Sequence, residues 1–242
     1  MPTDCLFRDD SYLKQCDARV LAITEQGDIV LDRTVFYAAS GGQPGDNGAL
    51  AAADGTRVVI DSAIYIDAAK TEIAHVPAAS SQSAVLALKV GDAVTALIDW
   101  DKRYGRMRMH SALHLLSAAL PYAVTGGSVG ESEGRLDFDI PDAGLDKDVL
   151  TAKLAEMVAS NAAVSSRWIS DEELEANPGL VKTMSVKPPI GSGRVRLIEI
   201  EGFDLQPCGG THVRATGEIG TVRVTQIEKK GKQNRRVRLA FV

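Results

Sequence analysis

The sequence predicts an α+β protein: a small N-terminal β-barrel over residues 1–98, then an α+β domain over residues 99–242 with helices packed on an antiparallel sheet. Three observations predict it. Short apolar runs separated by turn signals fill the first hundred residues. The texture changes to a helical period just after Asp99-Trp100-Asp101. Beyond that point helical and strand patterns alternate to the C-terminus.

In the first part the runs are Val20 to Ile23, Ile29 to Leu31, Val35 to Tyr37, Val58 to Ile60, Val85 to Val90 and Val94 to Ile98. Glu25-Gln26-Gly27-Asp28, Asp54-Gly55 and Gly91-Asp92 punctuate them as turns. Many short strands at this spacing suit a small barrel. Within the barrel region, Ser40-Gly41-Gly42-Gln43-Pro44-Gly45-Asp46-Asn47-Gly48 carries four glycines, which permit positive φ and close backbone approach. On its residues alone it reads as a tight connection between strands. It lacks the Lys-Ser/Thr ending of a phosphate-binding loop, so no nucleotide cofactor is expected.

From Lys102 to Leu120, Met109, Leu113, Leu116 and Leu120 recur at helical spacing, and Pro121 stops the helix. Thr125-Gly126-Gly127-Ser128 reads as a turn and Arg135 to Ile140 as a strand. Asp146 to about Ala162 forms a second helix, with Leu150, Leu154, Met157 and Val158 on one stripe. Ser170-Asp171-Glu172-Glu173 is a capping box whose short helix Asn177-Pro178-Gly179 closes. Val195 to Ile200 is a strand. Val222 to Ile227 and Val237 to Val242 form a hairpin with a basic tip.

Composition narrows the function classes. The chain has 242 residues, 45% hydrophobic and 24% charged, with a net charge of −5, which fits a packed globular protein rather than a generic nucleic-acid binder. No run approaches the length of a membrane span and the N-terminus does not resemble a signal peptide, so a cytoplasmic protein is expected. Three cysteines (Cys5, Cys16 and Cys208) make no disulfide framework. Lys229, Lys230, Lys232, Arg235, Arg236 and Arg238 concentrate positive charge at the C-terminal hairpin, readable either as a solvated tip or as a contact for RNA phosphates.

The chemistry-bearing pattern is in two halves. His110-Ser111-Ala112-Leu113-His114 places two imidazoles one turn apart on one helix face. Cys208-Gly209-Gly210-Thr211-His212, after Pro207, reads as a loop that lets a thiolate and an imidazole converge on the same ion. Only four histidines occur, and three are in these pairs; the fourth, His75, reads as structural. His110, His114, Cys208 and His212 make a tetrahedral zinc set. Four protein ligands match a structural site, whereas a catalytic one keeps a position open, and spacing leaves both readings standing. A zinc peptidase is excluded: Ser111 stands where that motif needs its glutamate base. An activated ester is the better substrate, because it asks less of the protein than an amide.

These residues carry a resemblance. Arg108 to Leu116, with Cys208-Gly209-Gly210-Thr211-His212 downstream, resembles the editing domain shared by alanyl-tRNA synthetase and the free-standing AlaX proteins. Phe36 to Gly48 resembles the glycine-rich segment preceding that domain. The chain has no room for an aminoacylation domain, so it is similar to the free-standing kind, in the longer type that carries the barrel. The resemblance implies an ATP-independent hydrolase that serves translation fidelity by removing the wrong amino acid, serine and also glycine, from alanine tRNA. It carries the zinc ligands onto His110, His114, Cys208 and His212. It points to Thr125 and Ser128 as pocket-lining groups and Gln43 as approaching the pocket or the tRNA end. Gly209 and Gly210 become candidate backbone donors to the ester carbonyl. With tRNA as partner, Lys229, Lys230, Lys232, Arg235 and Arg236 are candidate phosphate contacts. The rival expectations are a tRNA-binding module with a purely structural zinc, and a deacylase for a different aminoacyl-tRNA.

Overall fold

A computed structural model describes residues 2–140, 144–182 and 193–242. The chain divides into two compact units, one comprising residues up to Ser40 with Pro44–Arg103, the other Gly41–Gln43 with Tyr104–Val242.

The first unit contains β1 (Asp4–Cys5), β2 (Gln15–Ile23), β3 (Ile29–Leu31), β4 (Arg33–Thr34), β5 (Gly48–Ala52), β6 (Arg57–Tyr65), β7 (Ile73–Pro77), the short helix α1 (Gln82–Ala87) and β8 (Ala93–Ile98). Strands β2-β3-β7-β6-β5-β8 close into a barrel, and β1 pairs with β4 in parallel. Alternation explains the closure. In β6, Val58, Ile60 and Ala63 are buried while Arg57, Val59 and Asp61 face outward, as a strand with one wall on a core requires. Val20, Leu31, Leu50, Ile60, Ile73 and Ala96 share that core with Phe7 and Phe36.

Two runs expected as strands are not strands. Val35 to Tyr37 is an irregular, fully buried segment, apolar because it fills the core; Tyr37 donates its N–H to Asp46 Oδ2 (2.7 Å) and accepts from the Asp46 N–H (2.9 Å). Val85 to Val90 begins as helix α1. There Val85 and Leu88 are buried and Leu86 and Val90 exposed, a spacing of three that an apolar run conceals.

A buried ion pair ties this unit together. Arg103 has no exposed surface. Its guanidinium donates to Asp46 through Nε (2.9 Å) and Nη2, to the Ser11 carbonyl through Nη1 (2.9 Å) and to the Val35 carbonyl through Nη2 (2.6 Å). The planar fork thereby satisfies a charge that would otherwise be costly to bury.

The second unit comprises α2 (Trp100–Ala119) from Tyr104 onward, β9 (Val124–Val129), β10 (Glu133–Asp139), α3 (Lys147–Ala159), β11 (Val164–Ser170), α4 (Asp171–Ala176), β12 (Arg194–Ile200), β13 (Asp204–Pro207), β14 (Val222–Lys229) and β15 (Asn234–Phe241). They form a four-stranded sheet, β14-β15-β10-β9, and a three-stranded one, β11-β12-β13. All of these pairings are antiparallel. The α+β class expected from the sequence is the one observed.

Local signals explain the boundaries. Asp146 caps α3, its carboxylate accepting the N–H groups of Asp148 and Val149. Ser170 and Glu173 complete the capping box of α4. Helix α2 differs from an ordinary amphipathic helix, because every residue from Met109 to Ser117 is buried, so its two histidines lie in the interior. Thr125 to Ser128, expected as a turn, lies within β9, paired with β10. No helix of the described residues is long and apolar enough to cross a membrane.

His75 is wholly buried. Its Nδ1 donates to the Ile29 carbonyl (2.9 Å) and its Nε2 accepts from the Thr34 hydroxyl (2.8 Å), so the ring is held neutral. Burial lowers its pKa from 6.5 to about 4. Between those values the unfolded chain binds a proton that the fold excludes, so stability is complete above pH 6.5 and is lost as pH falls toward 4. The loss amounts to about 3 kcal/mol. Urea unfolding at pH 7 and pH 4.5 should show a smaller pH-dependent loss in His75→Gln than in the wild type; equal losses would remove His75 as the cause.

Candidate metal centre

Helix α2 supplies two of the four donors. His110 and His114, one turn apart, present their rings on one face, with centroids 5.2 Å apart. The other two come from the loop after β13. There Cys208 and His212 bracket two glycines, and the His212 ring lies 4.3 Å from that of His110 and 4.7 Å from that of His114. One donor atom from each residue falls within 4.8 Å of the others. The Cys208 sulfur is 3.6 Å from His110 Nε2 and 3.3 Å from His212 Nε2. A zinc tetrahedron with bonds of about 2.1–2.3 Å has edges of about 3.4–3.6 Å. The donor set and its spacing therefore fit a single zinc-sized ion.

Each imidazole has its orientation set from behind. His114 Nδ1 donates to Asp204 Oδ2 (2.8 Å), and Asp204 is held in turn by Lys182 Nζ (2.5 Å) and Gln206 Nε2 (2.7 Å). His110 Nδ1 donates to Gln43 Oε1 (2.8 Å). His212 Nδ1 lies 3.4 Å from the Ser111 hydroxyl, which also accepts the Val213 N–H (3.2 Å). With Nδ1 engaged, Nε2 is the nitrogen left to face the centre, the usual way of fixing a metal-binding tautomer. Sequence reasoning missed Asp204, Gln206 and Ser111 in these roles. The available signal for Asp204 is an acid in a short strand four residues before Cys208.

The electrostatics follow from this packing. Burial opposes a charge on Cys208, but the facing His110 and His212 rings outweigh it and hold the thiol well below its ordinary pKa. Burial likewise opposes a charged His114, yet the hydrogen bond to Asp204 and the neighbouring thiolate raise it to about 9. Asp204 is lowered to about 2, its burial overcome by His114 and Lys182. His212 is lowered to about 3 by burial and by His110. A thiolate and a neutral imidazole are the forms that bind metal; Cys208 and His212 are held in those forms, whereas His114 must give up its Nε2 proton when an ion enters.

The loop geometry depends on two glycines. Gly42 has φ +82°, and a side chain there would meet the Gly127 carbonyl at 2.6 Å. The backbone thus runs directly beside β9, where the Val129 N–H donates to the Gly42 carbonyl (2.8 Å). A Cβ on Gly210 would strike the His110 ring and lie 2.9 Å from Gln43 Oε1. The Gly210 N–H points at the Cys208 sulfur (3.4 Å), and Arg196 Nη1 donates to the carbonyls of Cys208 (3.2 Å) and Gly210 (2.9 Å).

The remaining candidates are placed as follows. Thr125 is half-buried on β9, its hydroxyl donating to the Asp137 carbonyl (3.2 Å) and accepting from Asn234 Nδ2 (2.8 Å). Ser128 is exposed on the same strand. Gln43 is buried, touching His110 and Thr211. At the hairpin, Arg236 is paired with Asp137 (2.7 Å), while Arg238 (2.6 Å) and Lys230 (3.1 Å) are paired with Glu228. Among the described residues Lys229, Lys232 and Arg235 have no acidic partner.

An α+β architecture with a centre of three buried histidines and one partly buried cysteine defines a class of candidate metalloprotein. The comparisons narrow it. Residues 195–238 match the family model "Threonyl and Alanyl tRNA synthetase second additional domain", and residues 10–102 match "tRNA synthetases class II (A)". An alanyl-tRNA editing protein AlaX-M of Methanosarcina mazei is 36% identical over 97% of this chain and 95% of its own. An AlaX-L of Pyrococcus horikoshii is 28% identical over 94% of this chain and 55% of its own. An alanine–tRNA ligase of Pyrobaculum aerophilum is 30% identical over 93% of this chain but 25% of its own. The chain belongs to the alanyl-tRNA editing protein AlaX family.

Removing the carboxylate behind His114 should loosen the centre. Asp204→Ala should weaken zinc binding about 10- to 100-fold in competition with a chromophoric chelator. An unchanged affinity would show that this carboxylate does not hold the ring for the metal.

Proposed function

We propose that the protein is a zinc-dependent hydrolase that deacylates mischarged alanine tRNA in trans, with seryl-tRNA for alanine as its first substrate and the glycyl form as its second. The observation that carries the reading is the convergence of His110, His114, Cys208 and His212, with each imidazole oriented by its own partner. Relatives named as alanyl-tRNA editing proteins support the substrate class.

When bound, zinc would supply Lewis-acid polarisation of the ester or of a water. The chain's own residues do the rest. Asp204, Gln43 and Ser111 keep three ring nitrogens directed inward, so no reorganisation is needed when substrate arrives. The Gly210 N–H serves the Cys208 thiolate, which leaves Gly209 as the backbone donor for the ester carbonyl. Thr125, already oriented by Asp137 and Asn234, and Ser128 on the same strand supply hydroxyls for the amino-acid side chain. A site that hydrogen-bonds a hydroxyl selects serine strongly over alanine, whereas glycine differs by only a methyl.

For tRNA, Lys229, Lys232 and Arg235, which have no acidic partner among the described residues, are the phosphate contacts. Lys230 and Arg236 contribute less because they already face Glu228 and Asp137. The second reading, a tRNA-binding module with a structural zinc, is favoured by the four-donor count alone.

Purified zinc-loaded protein should accelerate loss of serine from seryl-tRNA for alanine at least about tenfold over the spontaneous rate. No acceleration, with tRNA bound, would favour the binding module, and a panel of other aminoacyl-tRNAs would expose a different substrate. Replacing Lys229, Lys232 and Arg235 together with alanine should reduce the slope of log affinity against log salt by about 2–3. An unchanged slope would remove this tip from the interface.

A further inference from the structure

Gln43 lies in the glycine-rich segment that resemblance associates with the substrate, yet its amide is buried, with 2% of the residue exposed. Its oxygen accepts from His110 Nδ1 (2.8 Å) and from the backbone N–H of Thr211 (3.2 Å), and its nitrogen donates to the Thr211 hydroxyl (2.9 Å). The Thr211 N–H can only donate, so the atom facing it is the amide oxygen. That fixes the amide's orientation and, in turn, which nitrogen of His110 carries the proton.

We propose that Gln43 is a positioning residue of the metal centre: one side-chain amide sets the His110 imidazole from α2 and the Cys208–His212 loop at their working separation. It does so by joining two segments that are distant in sequence. Gly210 has no side chain where one would strike both the His110 ring and Gln43, so imidazole and amide close against bare backbone. Gly42, at positive φ against Gly127, turns the chain so that the next residue enters there. The inference rests on the reading of the four-residue cluster as a metal centre. It differs from a substrate-contact role in what it predicts, because a residue that only touches substrate leaves metal affinity untouched.

The test is zinc competition against a chromophoric chelator on the full-length wild type, Gln43→Met and Gln43→Glu. Methionine keeps the volume and removes all three hydrogen bonds. Glutamate keeps an oxygen for His110 Nδ1 and for the Thr211 N–H, and the Thr211 hydroxyl can donate to it. Methionine should weaken zinc binding about 10- to 100-fold, the range expected when a partner behind a ligating histidine is lost. Glutamate should restore it to within a few-fold of wild type. Methionine binding zinc as tightly as wild type overturns the proposal, as does glutamate failing to restore what methionine loses. Should methionine fail to fold, Thr211→Val takes its place, since it removes the hydroxyl that anchors the amide. A several-fold loss of affinity then supports the role and no loss overturns it. A wild type that binds no zinc overturns the metal reading itself, a result distinct from wild type and variant binding equally.

Discussion

Three imidazoles and a thiolate face one another in the interior at separations that suit a small cation between them. Such a cluster is unfavourable without compensation, because the buried lone pairs of the imidazoles and the partly buried charge of Cys208 have lost much of their water. Much of the second unit is understandable as the means of holding them there. Helix α2 is enclosed so that its histidines lie in the interior. The strands β12 and β13 present Arg196, Asp204 and Gln206 to the same place. Arg196 clamps the carbonyls of the Cys208 loop, and Asp204 links His114 to Lys182.

The three acceptors behind the rings form a graded series: carboxylate for His114, amide for His110, and a longer contact to a hydroxyl for His212. The proton sites follow the same order at the extremes, with His114 raised and His212 lowered. The first unit uses a related device without a metal. There Arg103 and Asp46 are buried together, and the fork of the guanidinium reaches two backbone carbonyls besides the carboxylate. Polar interiors are tolerated in both units because nearly every donor meets an acceptor.

The sequence made the four-residue cluster legible for simple reasons. A spacing of four on a helix places His110 and His114 together, and proline with two glycines marks a loop able to bring Cys208 and His212 to them. The groups behind the rings were harder to see, since a carboxylate or amide that accepts from a distant imidazole has no local pattern. Asp204 and Ser111 look like ordinary polar residues until the fold is known. Gln43 stands out by the glycines around it, but they carry no sign of its contact with His110. Among the fold elements, those with caps or strict alternation were readable, such as α3, α4, β6 and the β14–β15 hairpin. Val85 to Val90 was obscured because a continuous apolar run suits a strand or a helix equally, and Thr125 to Ser128 because glycines inside a paired strand imitate a turn.

The four donors suit a single zinc ion held by three histidines and one cysteine. X-ray absorption at the zinc edge, on full-length protein loaded with one equivalent of metal, tests it most directly. Three nitrogen neighbours at about 2.0–2.1 Å and one sulfur at about 2.3 Å are expected, with the sulfur lost in Cys208→Ser. A shell of nitrogen and oxygen alone in the wild type, or failure to retain the metal at all, would contradict it.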